Sequence, residues 1–259
     1  MKVAVSGKGG VGKTLIAAGL AYSFVKRGFK TIAIDADPSP NLALTLGLPP
    51  EEARKIVPIS ENKELVESKT GTGYSGVYRL TFTVDDIVRE YSVKTPFGVN
   101  LIVMGTVRSM GSGCTCPANA VVRSLLRHLV VERDEAVVLD MEAGVEHMGR
   151  GTAQHVDSML VVVNANVKSL ETAKSIRELG VKAGMKNISL IGNKIENDAQ
   201  RGVINKFAVE NGLKVLGHIP FDPVVVEAEM RGETPLKHGG SEALKAIEGL
   251  CEMLLLGNT

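Results

Sequence analysis

Residues 7–14 read GKGGVGKT, directly after the apolar run Val3-Ala4-Val5 and directly before a helical pattern. The spacing G-x-x-x-x-G-K-[ST] between a strand and a helix is that of a phosphate-binding loop. Its glycines let successive backbone N–H groups curl around phosphate oxygens with no Cβ in the way. The helix that follows turns its positive end toward the same anion. Lys13 can reach the β- and γ-phosphates, and the Thr14 hydroxyl can ligate Mg²⁺. The expected nucleotide contacts are therefore Gly9, Gly10, Val11, Gly12, Lys13, Thr14 and Leu15.

The chain has 259 residues, 44% of them hydrophobic, enough for one large α/β domain with its own core. A net charge of +1 implies no broad field for nucleic acid. The absence of tryptophan and an aromatic content of 4% argue against base-stacking platforms. No apolar run is long enough to span a bilayer, and the first residues lack the layout of a signal peptide. The expectation is a cytoplasmic protein, with no nucleic-acid partner and no stable membrane association.

Apolar runs predict strands at 3–6, 31–34, 100–104, 136–139, 158–163, 188–192 and 215–219. Helical spacing predicts helices from the loop to about 26, then at 84–91, 118–131, 169–182 and 241–255. This alternation gives a single α/β domain over 1–259: a mostly parallel twisted sheet with helices on both faces. An irregular insertion is expected at about 49–98, with a loose loop or hairpin at 69–78. The run G-T-G-Y-S-G there lacks the strand and helix of a dinucleotide fingerprint and is not read as one.

Two strands end in acids: Asp35-Ala36-Asp37-Pro38 and Asp140-Met141-Glu142-Ala143-Gly144. Ligands bind at the C-terminal ends of parallel strands, so these carboxylates are site candidates. A helix cap or loop carboxylate would use the same residue types.

Three cysteines, an odd and low count, argue against a disulfide framework. Cys114 and Cys116 follow Gly111-Ser112-Gly113 and precede Pro117, which suits the first turn of a helix. That electropositive position favours thiolate, a soft ligand for Zn²⁺, Ni²⁺ or an iron–sulfur cluster. Two ligands are too few for a closed tetrahedral site, but a symmetric dimer would supply four. Two chance loop cysteines remain the alternative; a redox pair would more usually be C-x-x-C. Cys251 shares an apolar stripe with Ala243, Leu244, Ile247, Leu250 and Leu254 and reads as core. The polar face of that helix carries Glu242, Glu248 and Glu252 against Lys245 alone. Such a face suits docking onto the domain better than anionic lipid.

The additional lysine, Lys8, makes the loop K-G-G-V-G-K-T, which resembles the deviant Walker A loop of the MinD/ParA/nitrogenase-iron-protein class of ATPases. With D-A-D-P-S-P-N-L, G-S-G-C-T-C-P, D-M-E-A-G-V-E-H-M-G-R-G-T and the I-P-F-D turn, nearly the whole chain resembles the CooC-type ATPases. These are maturation factors for nickel-containing carbon monoxide dehydrogenase. The cysteine pattern of the nitrogenase iron protein is not matched, because no cysteine lies between Cys116 and Cys251. The resemblance implies an ATPase that forms a homodimer over ATP, with Lys8 entering the partner's nucleotide site. It implies that Asp37, in switch I, orients or deprotonates the attacking water, with Asn41 near the magnesium side. Asp140 would hold Mg²⁺ through water, and the Gly144 backbone would sense the γ-phosphate. Asn193 would read the adenine edge, flanked by Pro220, Phe221 and Asp222, although a cap and a turn would also use Asn193 and Pro220. Cys114 and Cys116 from two subunits would bind one Ni²⁺ or Zn²⁺ for a client nickel enzyme, carbon monoxide dehydrogenase or acetyl-CoA synthase. His147 would be a hydrogen-bonded switch residue or an auxiliary ligand. The alternative from the same class is a MinD/ParA-like spatial regulator without metal delivery.

Overall fold

Near-continuous apolar runs such as Val137-Val138-Leu139 and Leu160-Val161-Val162-Val163 suit strands covered on both faces, and parallel sheets are built from such strands. The computed structural model describes residues 1–70, 84–105, 117–132, 135–143 and 153–257. Cys114, Cys116, Gly144, Glu146, His147 and the expected loop at 71–78 lie outside the described residues.

The strands are β1 (Lys2–Gly7), β2 (Thr31–Asp35), β3 (Val93–Lys94), β4 (Asn100–Val103), β5 (Ala136–Asp140), β6 (Ser158–Val163), β7 (Ile188–Ile195) and β8 (Lys214–Pro220). They form one sheet in the order β3-β4-β2-β5-β1-β6-β7-β8. Every neighbouring pair is parallel except β3 with β4. The expected α/β architecture is the one observed, and all seven expected strands are present. The short antiparallel β3 was not expected; at two residues it is too brief to carry an alternation signal.

The helices are α1 (Lys13–Lys26), α2 (Leu42–Thr45), α3 (Pro50–Ala53), α4 (Lys63–Thr70), α5 (Val84–Tyr91), α6 (Pro117–Glu132), α7 (Val167–Lys182), α8 (Asp198–Glu210), α9 (Pro223–Met230) and α10 (Glu242–Leu256). Between β2 and β4 lie α3, a 3₁₀ turn at Ile59–Glu61, α4 and α5, and Leu65 and Ile87 reach the core. Lys69 and Thr70, expected at the start of a loop, close α4 instead. Five helices had no sequence expectation: the short α2, α3 and α4, and the longer α8 and α9. In α8 only Ile204 and Ala208 are buried, so its apolar stripe is thin. In α9 the run Val224-Val225-Val226 reads as a strand, but Pro223 follows the capping Asp222 and starts a helix.

The pleat sends alternate residues to two cores. Val3 and Val5 of β1, with Ala136 and Val138 of β5, pack toward α1 and α10. Ala4, Val137 and Leu139 pack toward α6 and α7. Helix α1 is the most enclosed helix among the described residues, with ten of its fourteen residues buried. The sheet covers one side and α10 the other through Ala243, Ile247, Leu250, Cys251 and Leu254. Cys251 is fully buried, and burial pushes its thiol above the ordinary range. The acidic face of α10 meets the basic end of α1: Lys26 bonds Glu248 at 2.7 Å and Arg27 bonds Glu252 at 2.7 Å. These ion pairs are solvated and each is worth little, so the apolar stripe supplies the docking energy and the charges set its register.

The two helices cross at Gly19, where a Cβ would stand 2.8 Å from Ile247 Cγ2. Glycine-to-alanine within a helix normally stabilises by about 1 kcal/mol, whereas overpacking a core costs about 1–3 kcal/mol. Ile247 is branched at the contact and fully buried, so the clash dominates. Gly19→Ala should lower the melting temperature by a few degrees, and adding Ile247→Ala should reverse the sign of the Gly19→Ala effect. Thermal unfolding of the four-member cycle measures both.

Candidate functional site

The C-terminal ends of β1, β2, β5 and β7 converge on one edge of the sheet. Strand β1 leads into the glycine loop at Gly7, where φ is 152° and a Cβ would lie 2.5 Å from the Val162 carbonyl oxygen. The loop ends at Gly12, φ 95°, which precedes α1. A Cβ at Gly12 would collide with Nδ2 of Asn193, so only glycine lets β7 approach this closely. The first backbone bond of α1 runs from the Ile16 N–H to the Gly12 carbonyl. The N–H groups of Lys13, Thr14 and Leu15 therefore have no partner within the helix, which is the condition for anion binding. Lys13 is buried, and its Nζ crosses the loop to within 3.4 Å of the Lys8 carbonyl oxygen. Gly9 and Gly10 are exposed, and Lys8 is half-buried.

Asp35 and Asp140 end adjacent strands and are direct register partners. Asp35 is fully buried, and its two carboxylate oxygens accept from the N–H of Asp37 at 3.2 Å and of Leu42 at 2.9 Å. One carboxylate thus ties down both ends of the loop that carries Asp37 and Asn41. Burial pushes the pKa of Asp35 up to about 6 despite those hydrogen bonds. Sequence reading placed Asp35 among the strand-end acids but gave a role to Asp37 alone; the place of Asp35 as the last residue of a buried strand was the available signal. Asp37 is half-buried and accepts from the Ser39 N–H at 2.9 Å, while the exposed Asn41 donates to the Ser39 carbonyl at 2.8 Å.

Asp140 is 1% exposed, and neither of its carboxylate oxygens has a hydrogen-bond partner among the described residues. Burial pushes its pKa up to about 7; the charge of Asp35 adds to the shift, and the nearby Thr14 hydroxyl and Lys13 oppose it. With the Thr14 hydroxyl near it but no closed hydrogen bond to either oxygen, this buried carboxylate calls for a cation. Among the described residues no three His, Cys, Asp or Glu side chains gather as a protein-only metal cage. Mg²⁺ suits what is there, because it binds through one or two protein oxygens, water and phosphate oxygens. The Ser6 hydroxyl donates to the Glu142 carbonyl at 2.8 Å, tying the segment after Asp140 to β1.

Beside the loop is a cleft of about 100 Å³, lined by Gly12, Leu15, Asn193, Pro220, Phe221 and Asp222 among others. All the residues expected around a base therefore share one cavity wall. Two of their side chains are already engaged. Asn193 Nδ2 donates to the Val11 carbonyl at 2.7 Å. Asp222 accepts from the Val224 N–H at 2.9 Å, the Ser241 hydroxyl at 2.6 Å and the Ala243 N–H at 3.1 Å. Burial alone would raise its pKa, but these bonds outweigh it and hold the group below the ordinary range. The Asp222 carboxylate joins α9 to α10. Sequence reading also missed Lys194, whose Nζ lies 3.4 Å from the Gly10 carbonyl oxygen.

Among the described residues no helix is long and apolar enough to cross a membrane. An ATP-binding protein of Methanocaldococcus jannaschii is 43% identical over 263 residues, spanning 100% of both chains. Carbon monoxide dehydrogenase accessory protein CooC of Rhodospirillum rubrum is 43% identical over 234 residues, covering 90% of this chain and 88% of that one. The cell division protein MinD of Aquifex aeolicus shares the fold, with a TM-score of 0.69 at 24% identity over 100% of this chain and 98% of that one. Residues 2–236 match the family described as the CobQ/CobB/MinD/ParA nucleotide binding domain. With its glycine loop on β1, strand-end carboxylates beside it and a base-sized cleft against β7, the chain belongs to that family and is a MinD/ParA-type P-loop ATPase.

Proposed function

We propose that this ATPase delivers a metal ion, most specifically nickel to carbon monoxide dehydrogenase, through a homodimer that closes over ATP. The observation that carries the reading is Cys114-Thr115-Cys116, set immediately before the first residue of α6, in a chain 43% identical to a carbon monoxide dehydrogenase accessory protein. The inward face of α6 is buried through Val121, Leu125, Leu126 and Leu129, so the pair is attached to a helix anchored in the core. Two such pairs across a symmetric dimer make a four-thiolate site for Ni²⁺ or Zn²⁺.

In this reading Thr14 and Asp140 would hold Mg²⁺, Asp140 by way of a water. When bound, the ion neutralises charge on the β- and γ-phosphoryl oxygens. The free N–H groups of Lys13, Thr14 and Leu15 cradle the phosphates. Lys13, and Lys8 from the partner subunit, offset the charge that develops during transfer. Asp37 positions the attacking water, held in place by the hydrogen bonds that Asp35 makes on either side of its loop. Asn193, Pro220 and Phe221 enclose the base. Hydrolysis then shifts the segment 140–152, whose start is bonded to β1 through Ser6, and the change passes to the dimer and its metal. The spatial-regulator reading would use an exposed amphipathic helix; the apolar stripe of α10 is packed against α1 and β8.

Metal delivery is tested by titrating Ni²⁺ and Zn²⁺ into the wild type and a Cys114→Ser/Cys116→Ser variant, with ADP and with ATP, while solution mass is measured. The wild type should bind one ion per dimer and the variant none; equal affinity would overturn the reading. The shared active site makes a separate demand: Lys8→Ala should bind ATP yet fail to dimerise with it. A variant that dimerises normally in sedimentation would remove Lys8 from the partner's site. The carboxylates predict a pH effect in metal-free buffer. Asp140 and Asp35 have native pKa values raised from 3.8, so the native state holds protons that the unfolded chain has lost. Their contribution to stability is complete below about pH 4 and is lost as pH rises through about 6 and 7. Asp140→Asn should match the wild type only below about pH 4, lead it increasingly as pH rises toward 7, and melt higher at pH 8 by an amount on the order of a few kcal/mol. Mg²⁺ with ATP should close that gap, because it stabilises the ionised carboxylate.

A further inference from the structure

Strand β7 carries a defect beside the phosphate loop. Gly192 pairs with His218 and Ile195 with Pro220, so three steps along β7 face two along β8. The extra residue makes a β-bulge, a device that re-aims side chains near functional sites. Lys194 lies within it with φ 57°, the one non-glycine residue of positive φ among the described residues. Glycine or asparagine would take this conformation at less cost, so a lysine here points to a use for its side chain.

That side chain goes to the phosphate loop, with Nζ 3.4 Å from the Gly10 carbonyl oxygen. The preceding residue, Asn193, donates to the next carbonyl along, that of Val11, at 2.7 Å. In a regular strand adjacent side chains leave opposite faces. The bulge lets two adjacent residues reach two consecutive carbonyls of one loop. In a trans peptide the C=O and the following N–H point in opposite directions. Holding the Gly10 and Val11 carbonyls on the outer side of the loop turns the N–H groups of Val11 and Gly12 toward its interior. The Val11 N–H is 3.4 Å from the Lys8 carbonyl, a neutral contact without the charge assistance of the Lys194 ammonium, so a phosphate oxygen can replace that partner.

We propose that Lys194 is a positioning residue for ATP hydrolysis: presented by the bulge, its ammonium fixes the Gly10 peptide so that the N–H groups of the loop face the phosphates. The proposal rests on the ATPase activity alone and stands apart from metal delivery. Lys194 also lines the base cleft with Pro220 and Phe221, so a direct contact with the base is the competing use.

The two uses separate experimentally in the full chain. Steady-state ATP hydrolysis is measured for Lys194→Met, Lys194→Gly and Lys194→Arg, with ADP, GDP and inorganic pyrophosphate as inhibitors. A charge-assisted hydrogen bond lost from the cradle should lower kcat/KM roughly tenfold in the Met and Gly variants. The inhibition constants of all three inhibitors should rise by a common factor, because pyrophosphate senses the cradle without a base. Arg, which keeps the donor, should restore most of the activity. The nucleotide-free melting temperature should stay level in Met and hold or rise in Gly, which relieves the positive φ. A changed ADP/GDP ratio with unaltered pyrophosphate inhibition would assign Lys194 to the base and overturn the proposal. So would wild-type turnover in Met and Gly, or a melting temperature that falls in step with activity.

Discussion

The enclosure of α1 is the constraint on which the other parts depend. An anion site at a helix start works only if the orphan N–H groups are held still, and a helix that frays or tilts would scatter them. Here the helix is clamped between β1, β2 and β5 on one side and α10 on the other. Gly19 allows the second clamp to come within contact distance. The cradle is therefore mounted on the most buried helix among the described residues, and α10, far along the chain, is part of its mounting.

The carboxylates show the opposite arrangement, in which local stability is given up. Asp35 and Asp140 face each other across adjacent strands with almost no exposure, and both are pushed toward neutrality. Asp35 is partly compensated by two backbone donors, and its field helps to keep Asp140 uncompensated. An apolar pair at these strand ends would pack at lower free energy. The arrangement makes sense as a receptor for positive charge, and Asp35 links it to the 37–42 loop through its bonds to Asp37 and Leu42.

Most of the fold was legible because its signals are local. Apolar runs of four to six residues mark buried parallel strands, and the glycine loop marks the first of them as the strand that carries the site. What escaped notice depended on tertiary context. Helix α9 reads as a strand from its valines, and only the cap at Asp222 with Pro223 reverses that preference. Asp35 looks like a neighbour of the interesting acid, since nothing in the sequence says that its carboxylate reaches forward seven residues to Leu42. Lys194 could not be singled out at all, because a bulge is a relation between two strands and leaves no mark on one of them. Asn193 and Asp222 were legible as site residues, but their engagement with Val11 and with Ser241 was not.

These engagements connect the two sides of the nucleotide site. Asp222, at the base cleft, bonds Ser241, the cap of α10. The chain just before that cap bonds back toward switch I, where the Thr234 hydroxyl donates to the carbonyl of Thr45, the last residue of α2. Helix α2 begins at Leu42, the residue held by Asp35. A continuous set of hydrogen bonds therefore runs from the Asp35 carboxylate through α2 and the 234–241 segment to the turn that walls the base. Each bond is modest by itself, about 1 kcal/mol for a typical one. In series they make independent movement of the 35–42 loop and the 220–222 turn costly. The phosphate end and the base end of the site thus share a frame outside the glycine loop, and that frame passes through the same helix that clamps α1.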